Sequence, residues 1–145
     1  MAQRAPSEEE LRRLSMEMRY LEQTAEALQQ RISMVNAALT DLSYANATLD
    51  GIEKEKENTE MLVPIGGSSY VKVKLADSDK ILINMGSGVS VEKNLTDAKV
   101  TLKERLDELE KTMTSAQQQF SQIAERIASG RNRLESMLAQ RAGKQ

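Results

Sequence analysis

Apolar residues recur at alternating intervals of three and four along both ends of the chain, and this repeat constrains the fold more than any other feature. Such spacing places the apolar side chains on one narrow stripe of a helix, which is typical of a coiled coil. The first stripe consists of Leu11, Leu14, Met18, Leu21, Ala25, Leu28, Ile32, Val35, Leu39, Leu42, Asn46 and Leu49. The second consists of Leu95, Lys99, Leu102, Leu106, Leu109, Met113, Ala116, Phe120, Ile123, Ile127, Gly130, Leu134 and Met137.

Capping residues mark where both helices begin. Ser7 with Glu10 has the spacing of a reciprocal capping box, and Asn94 is a second N-cap signal. The charged run 53–57 extends the first helix to a stop at Asn58. The sequence therefore predicts coiled-coil helices over residues 7–58 and 94–141.

The stretch between the helices, residues 61–93, has strand periodicity instead. β-branched and aliphatic residues alternate with polar ones, and glycine-rich corners interrupt the runs. We expect four short strands near 62–65, 69–75, 80–85 and 88–92, arranged as two tandem β-hairpins. Pro64 cannot donate a ladder hydrogen bond, so we expect an edge or a bulge there.

A sheet this small does not stand alone in water, and the helices use their apolar stripes on each other. We therefore expect the hairpins to pair with copies from other subunits and to serve as the oligomerisation surface. The residues predicted for this surface are Val63, Ile65, Tyr70, Val71, Val73, Leu75, Ile81, Ile83, Met85, Val89 and Val91.

The two stripes match each other if the chain folds back near residue 74. Leu11 then lies opposite Met137, and Met18 lies opposite Gly130, so that small residues face large ones. Glu17 would flank Arg133. This register predicts an antiparallel coiled coil within one chain; the alternative is a pair of coiled coils formed between chains.

Composition excludes several classes of function. The 145 residues contain no histidine and no cysteine, which removes the commonest general base, the thiol nucleophile and the commonest metal ligands. A net charge of −2 gives no field for nucleic acid or an anionic membrane. No apolar run is long enough to span a bilayer, and the N-terminus lacks a signal-peptide core. We expect a cytoplasmic protein without catalytic activity, metal or cofactor.

Residues 62–71 (LVPIGGSSYV) and 83–94 (INMGSGVSVEKN) resemble prefoldin subunits, and specifically the α class with its two hairpins. The resemblance implies an α+β fold, in which a long coiled-coil hairpin carries two β-hairpins that join a central β-barrel. It also implies a hexamer of two α and four β subunits. Such a complex is a chaperone without ATP hydrolysis that captures unfolded proteins and passes them to a group II chaperonin.

Under this resemblance the open end of the coiled coil would contact unfolded clients. The residues predicted for this role are Leu11, Leu14, Met16, Met18, Tyr20, Leu134, Met137 and Leu138. Flexible methionine and leucine side chains suit contact with many different apolar sequences. Two alternatives remain open. In the first, the only role of the seam residues at this end is to close the coil; these are Leu11, Leu14, Leu134 and Met137. In the second, the whole chain is a structural scaffold or tether that oligomerises through its hairpins.

Overall fold

A computed structural model describes residues 4–143 and shows two long helices separated by two β-hairpins. The elements in chain order are α1 (Glu8–Glu53), β1 (Glu60–Gly66), β2 (Ser69–Lys74), β3 (Ile81–Gly86), β4 (Val89–Lys93) and α2 (Leu95–Ala142). The predicted α+β class is confirmed.

The described residues form two compact units. The arm unit contains the chain up to Asn36 and from Lys111 onward, and the hairpin unit is Ala37–Glu110.

Both predicted helix starts are confirmed, but the predicted end of α1 is wrong. The amide of Glu10 donates to Ser7 Oγ at 3.1 Å, and the amide of Ser7 donates to Glu10 Oε2 at 2.8 Å, which completes the capping box. The helix ends at Glu53, five residues before the predicted stop at Asn58. Its last turn has no basic residue, and the acidic side chains of the 53–57 run lie unfavourably at the negative end of the helix dipole.

The core of the arm unit is the heptad stripe predicted from the sequence. Leu14, Met18 and Leu21 of α1 are buried there. The α2 side chains that pack against this cluster are Ile123, Ile127, Leu134 and Met137. Both helices of one chain therefore share a seam in this unit, which confirms the coiled coil within one chain over the pair formed between chains.

Gly130 is the position where the register is most visible. An ideal Cβ built on Gly130 would overlap the Sδ atom of Met18, so the predicted Met18–Gly130 layer is confirmed. The missing side chain on α2 makes room for the long side chain on α1. The layer thus fixes which residues of the two helices lie opposite each other.

Ion pairs flank the seam of the arm unit. Glu22 pairs with Arg131 at 3.3 Å, and Glu8 pairs with Arg141 at 3.5 Å. Glu17 pairs with Arg126 at 3.7 Å, so its predicted proximity to Arg133 is not the ion pair that forms. Arg126 and Arg133 are one heptad apart and therefore lie on the same flank of α2. The sequence pattern predicts this flank but does not specify which of the two arginines pairs with Glu17.

The two hairpins have the same design, displaced by 20 residues along the chain. Val63 pairs with Val71 in the first, and Ile83 pairs with Val91 in the second, at equivalent positions of two antiparallel ladders. Each ladder has a bulge just before the turn, at residues 64–66 and 84–86, which confirms the irregularity expected at Pro64.

The turns of the hairpins depend on left-handed backbone. Three consecutive residues in each turn have positive φ, namely Gly66, Gly67 and Ser68, and then Gly86, Ser87 and Gly88. Glycine adopts this conformation without a Cβ clash. This geometry accounts for the glycine-rich corners of the sequence as hairpin turns.

The segment between the hairpins is tied to the start of α2. The Asn94 side chain accepts a hydrogen bond from the amide of Asp97 at 2.8 Å, as the cap signal predicted. A second acceptor comes from sixteen residues earlier, because Asp79 Oδ1 accepts from the Leu95 amide at 3.0 Å. Two side chains therefore satisfy amides that the first helical turn leaves unpaired.

Substitution of Gly130 tests the Met18 layer. We expect Gly130→Ala to destabilise the wild-type chain, because the new methyl group must displace the Met18 side chain. In a Met18→Ala background the same substitution should stabilise by up to about 1 kcal/mol through helix propensity. Urea unfolding of wild type, the two single variants and the double variant, all at one protein concentration, measures the coupling free energy between positions 18 and 130.

Gly51 provides the matched control, since a Cβ added to it meets nothing within 4 Å. Gly51→Ala should give the same small change in unfolding free energy in both backgrounds. Equal effects of Gly130→Ala in both backgrounds would contradict the Met18–Gly130 layer.

Candidate functional sites

The first hairpin exposes most of its apolar side chains. Ile65 and Tyr70 are 66% and 61% exposed, and Val63 and Val71 are also exposed, whereas Val73 and Leu75 are half-buried. The hairpin connects to the preceding segment through backbone hydrogen bonds that link Leu75 to Asn58 and Thr59. None of its strand residues belongs to the core clusters of the described part of the chain.

The second hairpin is attached differently, and this corrects the prediction for Ile83. Ile83 is only 4% exposed, because it packs with Leu49, Leu95 and Ala98. Ile81 packs against the same cluster. The expectation that the helices leave the strands uncovered is therefore wrong for these two residues, since the helix ends next to the sheet still have free apolar positions.

The other predicted residues of the second hairpin do face outward. Met85, Val89 and Val91 are exposed. Arg105 of α2 holds the bulged end of β3, because its guanidinium donates to the Asn84 carbonyl oxygen at 2.8 Å and lies 3.6 Å from Met85 Sδ. The second hairpin is thus fixed to its own helix while its outer side chains stay accessible.

Sequence reasoning missed several residues of the hairpin unit. Leu62 and Leu82 are 61% and 74% exposed, although both were left out of the predicted surface. Ala98 is fully buried beside Lys99, which had been placed on the stripe. Corresponding positions of the two hairpins are 20 residues apart in the sequence, which aligns Leu62 with Leu82. This spacing was the sequence signal that could have drawn attention to both leucines.

A shallow groove runs beside β3. Its volume is about 340 Å³, and its lining is mostly apolar. The residues that line it are Ala45, Thr48, Leu49, Ile81, Leu82, Ile83, Asn84, Leu102 and Arg105. The groove continues the exposed surface of the second hairpin onto the helix ends.

Lys99 forms a charge cluster with the end of α1. Its ammonium lies 2.8 Å from Asp50 Oδ1 and also bonds Glu53 Oε2. The hydrogen bond and the charge of Lys99 lower the pKa of the Asp50 carboxyl. The hydrogen bonds to Asp50 and Glu53 raise the pKa of Lys99. The polar interruption of the second stripe is therefore a link between the two helices.

At the open end, the structure separates the predicted client-binding residues into two groups. Met16, Tyr20 and Leu138 are exposed by 64%, 67% and 52%. Leu14 and Met18 are buried in the seam, and Leu11, Leu134 and Met137 are half-buried. The first group is fully accessible while the coil is closed, the half-buried residues are partly accessible, and Leu14 and Met18 contribute to the core of the seam.

An open groove of about 380 Å³ lies beside the Met18–Gly130 layer in the arm unit. Leu14, Met18 and Leu21 contribute to its lining, and Glu17, Arg126 and Arg133 give it charged edges.

Residues 4–143 hold no group of acidic side chains arranged as a metal site, and no helix among them is long and apolar enough to cross a membrane. Residues 21–143 match the family model for prefoldin subunits. The chain belongs to the prefoldin family. A prefoldin subunit is part of a chaperone, which agrees with the exposed apolar surfaces described above and with the resemblance seen in the sequence.

Curated relatives of this prefoldin subunit are α subunits. The prefoldin α subunit of Methanococcoides burtonii is 34% identical over 85% of this chain and 89% of its own length. That of Methanosarcina mazei is 33% identical over 90% and 92%. That of Pyrococcus horikoshii is 31% identical over 85% and 84%. The predicted class of prefoldin subunit is confirmed.

Solved structures have the same fold. A cryo-EM structure of filamentous PFD from Methanocaldococcus jannaschii aligns with a TM-score of 0.64 at 22% identity, covering 77% of this chain and 92% of that one. The crystal structure of the prefoldin β subunit from Thermococcus strain KS-1 aligns with a TM-score of 0.60 at 17% identity, covering 93% and 96%.

The Lys99 cluster predicts a pH dependence. Asp50 has a lowered pKa in the folded chain, so its contribution is present above about pH 3.9 and is lost as the pH falls through the folded value. Lys99 has a raised pKa, so its contribution is present below about pH 10.4 and is lost as the pH rises through the folded value.

Replacing Lys99 by methionine removes the cluster and keeps the length of the side chain. We expect the difference in unfolding midpoint between wild type and Lys99→Met to be constant between about pH 5 and 9. Outside this window it should move in favour of the variant. Lys111→Met, at an exposed position of α2, is the control and should show no such change. A pH-independent difference for Lys99→Met would contradict the link.

Proposed function

We propose that this chain is the α-type subunit of a hexamer with two α and four β subunits. The complex holds unfolded polypeptides without hydrolysing ATP and passes them to a group II chaperonin. The observation that carries this proposal is a prefoldin chain with exposed apolar side chains both on its hairpins and at the open end of its coiled coil. The function requires no catalytic group, metal or cofactor, and we place it in the cytoplasm.

Assembly follows from the hairpins. They form two separate two-stranded sheets, and such a sheet is marginal in water unless further strands or a helix cover it. The helices cover Ile81 and Ile83 of the second hairpin, whereas no strand residue of the first belongs to a core cluster of residues 4–143. Ile65, Tyr70 and Val89 expose apolar surface on strands with unpaired edges, which is a surface for strand pairing between chains. Membership of the prefoldin family supports other prefoldin subunits as partners. The partners that we propose are β subunits, with the hairpins of all subunits joined in a β-barrel.

Client binding follows from the open end of the arm unit. Met16 and Tyr20 are four residues apart on α1, so they lie on the same helix face. Methionine adapts to many apolar partners, and tyrosine adds a large ring with little conformational entropy to lose. Each arm alone would bind weakly. Several arms acting on one unfolded chain would gain affinity through effective concentration.

Replacing the exposed residues of the open end tests client binding. We expect the triple variant Met16→Ser, Tyr20→Ser, Leu138→Ser to form the same hexamer with a β-class prefoldin subunit, as read by native mass spectrometry. Because it lacks the exposed apolar contacts, several-fold more complex should be needed to suppress light scattering by a chemically denatured client.

The matched control is Met34→Ser with Tyr44→Ser. These residues are 74% and 71% exposed on α1 but lie outside the predicted binding set. A second variant lacks the residues before Leu21 and after Ile127. If both end variants protect the client at wild-type stoichiometry, the open end is not the binding site. If the wild-type hexamer leaves scattering unchanged, the chain is a scaffold or tether.

A further inference from the structure

The open groove beside the Met18–Gly130 layer has an apolar floor that reaches the surface of the arm unit. Leu14, Met18 and Leu21 contribute to its lining, and the same three residues form the buried cluster of the seam. Gly130 also lines the groove and adds no side chain to it. The groove therefore gives a second molecule access to the edge of an otherwise closed seam.

Four arginines lie on α2 within the arm unit, and one of them lacks a partner among residues 4–143. Arg126, Arg131 and Arg141 each pair with a glutamate of α1. Arg133 lines the groove and is exposed, but it takes part in no ion pair or hydrogen bond within the described chain. No acidic residue lies three or four positions from it on α2. Its guanidinium therefore presents its donors beside the groove.

Glu125 is the second unpaired charge of the groove. It is exposed, and within residues 4–143 its carboxylate makes no ion pair or hydrogen bond. Glu17 and Arg126 also line the groove, but they pair with each other at 3.7 Å. Glu125 precedes Arg133 by eight residues, which is about 12 Å along the helix axis. The groove thus has a negative end at Glu125 and a positive end at Arg133, with the Met18 layer between them.

This arrangement of charges discriminates among the molecules that an apolar groove could accept. Nucleic acid or an anionic membrane would bring negative charge against Glu125. A purely apolar segment would leave both charged groups without a partner. An extended polypeptide advances about 3.3 Å per residue, so about four residues span the roughly 12 Å between the two charges. A segment with apolar side chains between an acidic and a basic residue therefore complements the groove along its whole length.

We propose that the groove binds unfolded segments in which an acidic and a basic residue, about four positions apart, flank apolar side chains. Arg133 contacts the acidic residue, because a guanidinium can donate two parallel hydrogen bonds to one carboxylate. Glu125 contacts the basic residue. This inference rests on the chaperone role proposed above and names the class of client segment that this arm prefers. Exposed ion pairs are individually weak, so we expect a preference of about two- to fivefold for each charge.

Three short peptides of defined charge test this preference. The first has two leucines between a glutamate and a lysine four positions apart, in a flexible glycine–serine background. The second replaces the glutamate by lysine, and the third keeps the composition of the first but moves the lysine next to the glutamate. Each peptide titrates the full-length chain, and NMR shifts of the Ser129 and Gly130 amides, which lie in the groove lining, report the dissociation constant. We expect the first peptide to bind wild type about two- to fivefold more tightly than either of the others.

Charge reversal of Arg133 provides a result that a purely structural role would not give. Arg133→Glu should weaken the binding of the first peptide and strengthen that of the second, because the new glutamate pairs with the added lysine. A folding defect would weaken both instead, and urea unfolding measures it separately. The control Arg19→Glu makes the same charge change two residues after Glu17, about 200° around α1 from it. This control should keep the wild-type order of binding.

The charge preference is refuted if wild type binds the three peptides equally, or if Arg133→Glu leaves the order of binding unchanged, since both charges are then only solvated. Peptides that leave the Ser129 and Gly130 amides unshifted refute the binding site itself. Protection of a denatured client by the wild-type hexamer is measured separately. If protection persists while the peptides show no preference, the chaperone role stands and only the charge selection fails. If protection is absent while the first peptide still binds preferentially, the chaperone role fails and the groove remains a peptide site.

Discussion

The contact on which the hairpin unit depends is the burial of Ile83 between the ends of the two helices. Ile83 packs with Leu49 of α1 and with Leu95 and Ala98 of α2, so one strand residue joins three elements. Burying a side chain of this size contributes roughly 1.5–3 kcal/mol relative to leaving it exposed. The groove beside β3 and the Arg105 hydrogen bond to Asn84 both depend on the position that this contact gives to the second hairpin.

The first hairpin shows what happens without such an anchor. Its ladder, bulge and turn match those of the second, yet its apolar side chains remain largely exposed. The two hairpins differ in their surroundings. Helix residues pack against the second hairpin, and within residues 4–143 no comparable helix residues cover the first. A chain with one supported and one unsupported hairpin has a built-in need for a partner, and the prefoldin family is one in which subunits assemble.

Periodic features of the fold could be predicted from the sequence, and features that depend on single contacts could not. The heptad stripes together with a fold-back point near residue 74 predicted the seam down to the Met18–Gly130 layer, and small residues facing large ones supported that register. Glycines at positive φ marked both hairpin turns. The pattern could not predict that Glu17 pairs with Arg126 and not with Arg133, because both arginines lie on one flank of the seam.

The candidate sites divide in the same way. The predicted hairpin surface included Ile65, Tyr70 and Val89, which are exposed, but alternation along β3 also placed Ile83 there, and Ile83 is buried. A period of two separates the faces of a strand without saying which face the rest of the chain covers. At the open end, the heptad separated Met16, Tyr20 and Leu138 from the stripe, and these are the residues that the structure leaves accessible.

The equivalence of the two hairpins at 20 residues has an evolutionary consequence. Register, bulge position and the three left-handed turn residues all coincide, as duplication of one strand–turn–strand segment would leave them. Loss of one such segment would restore a chain in which a single hairpin joins the same two helices.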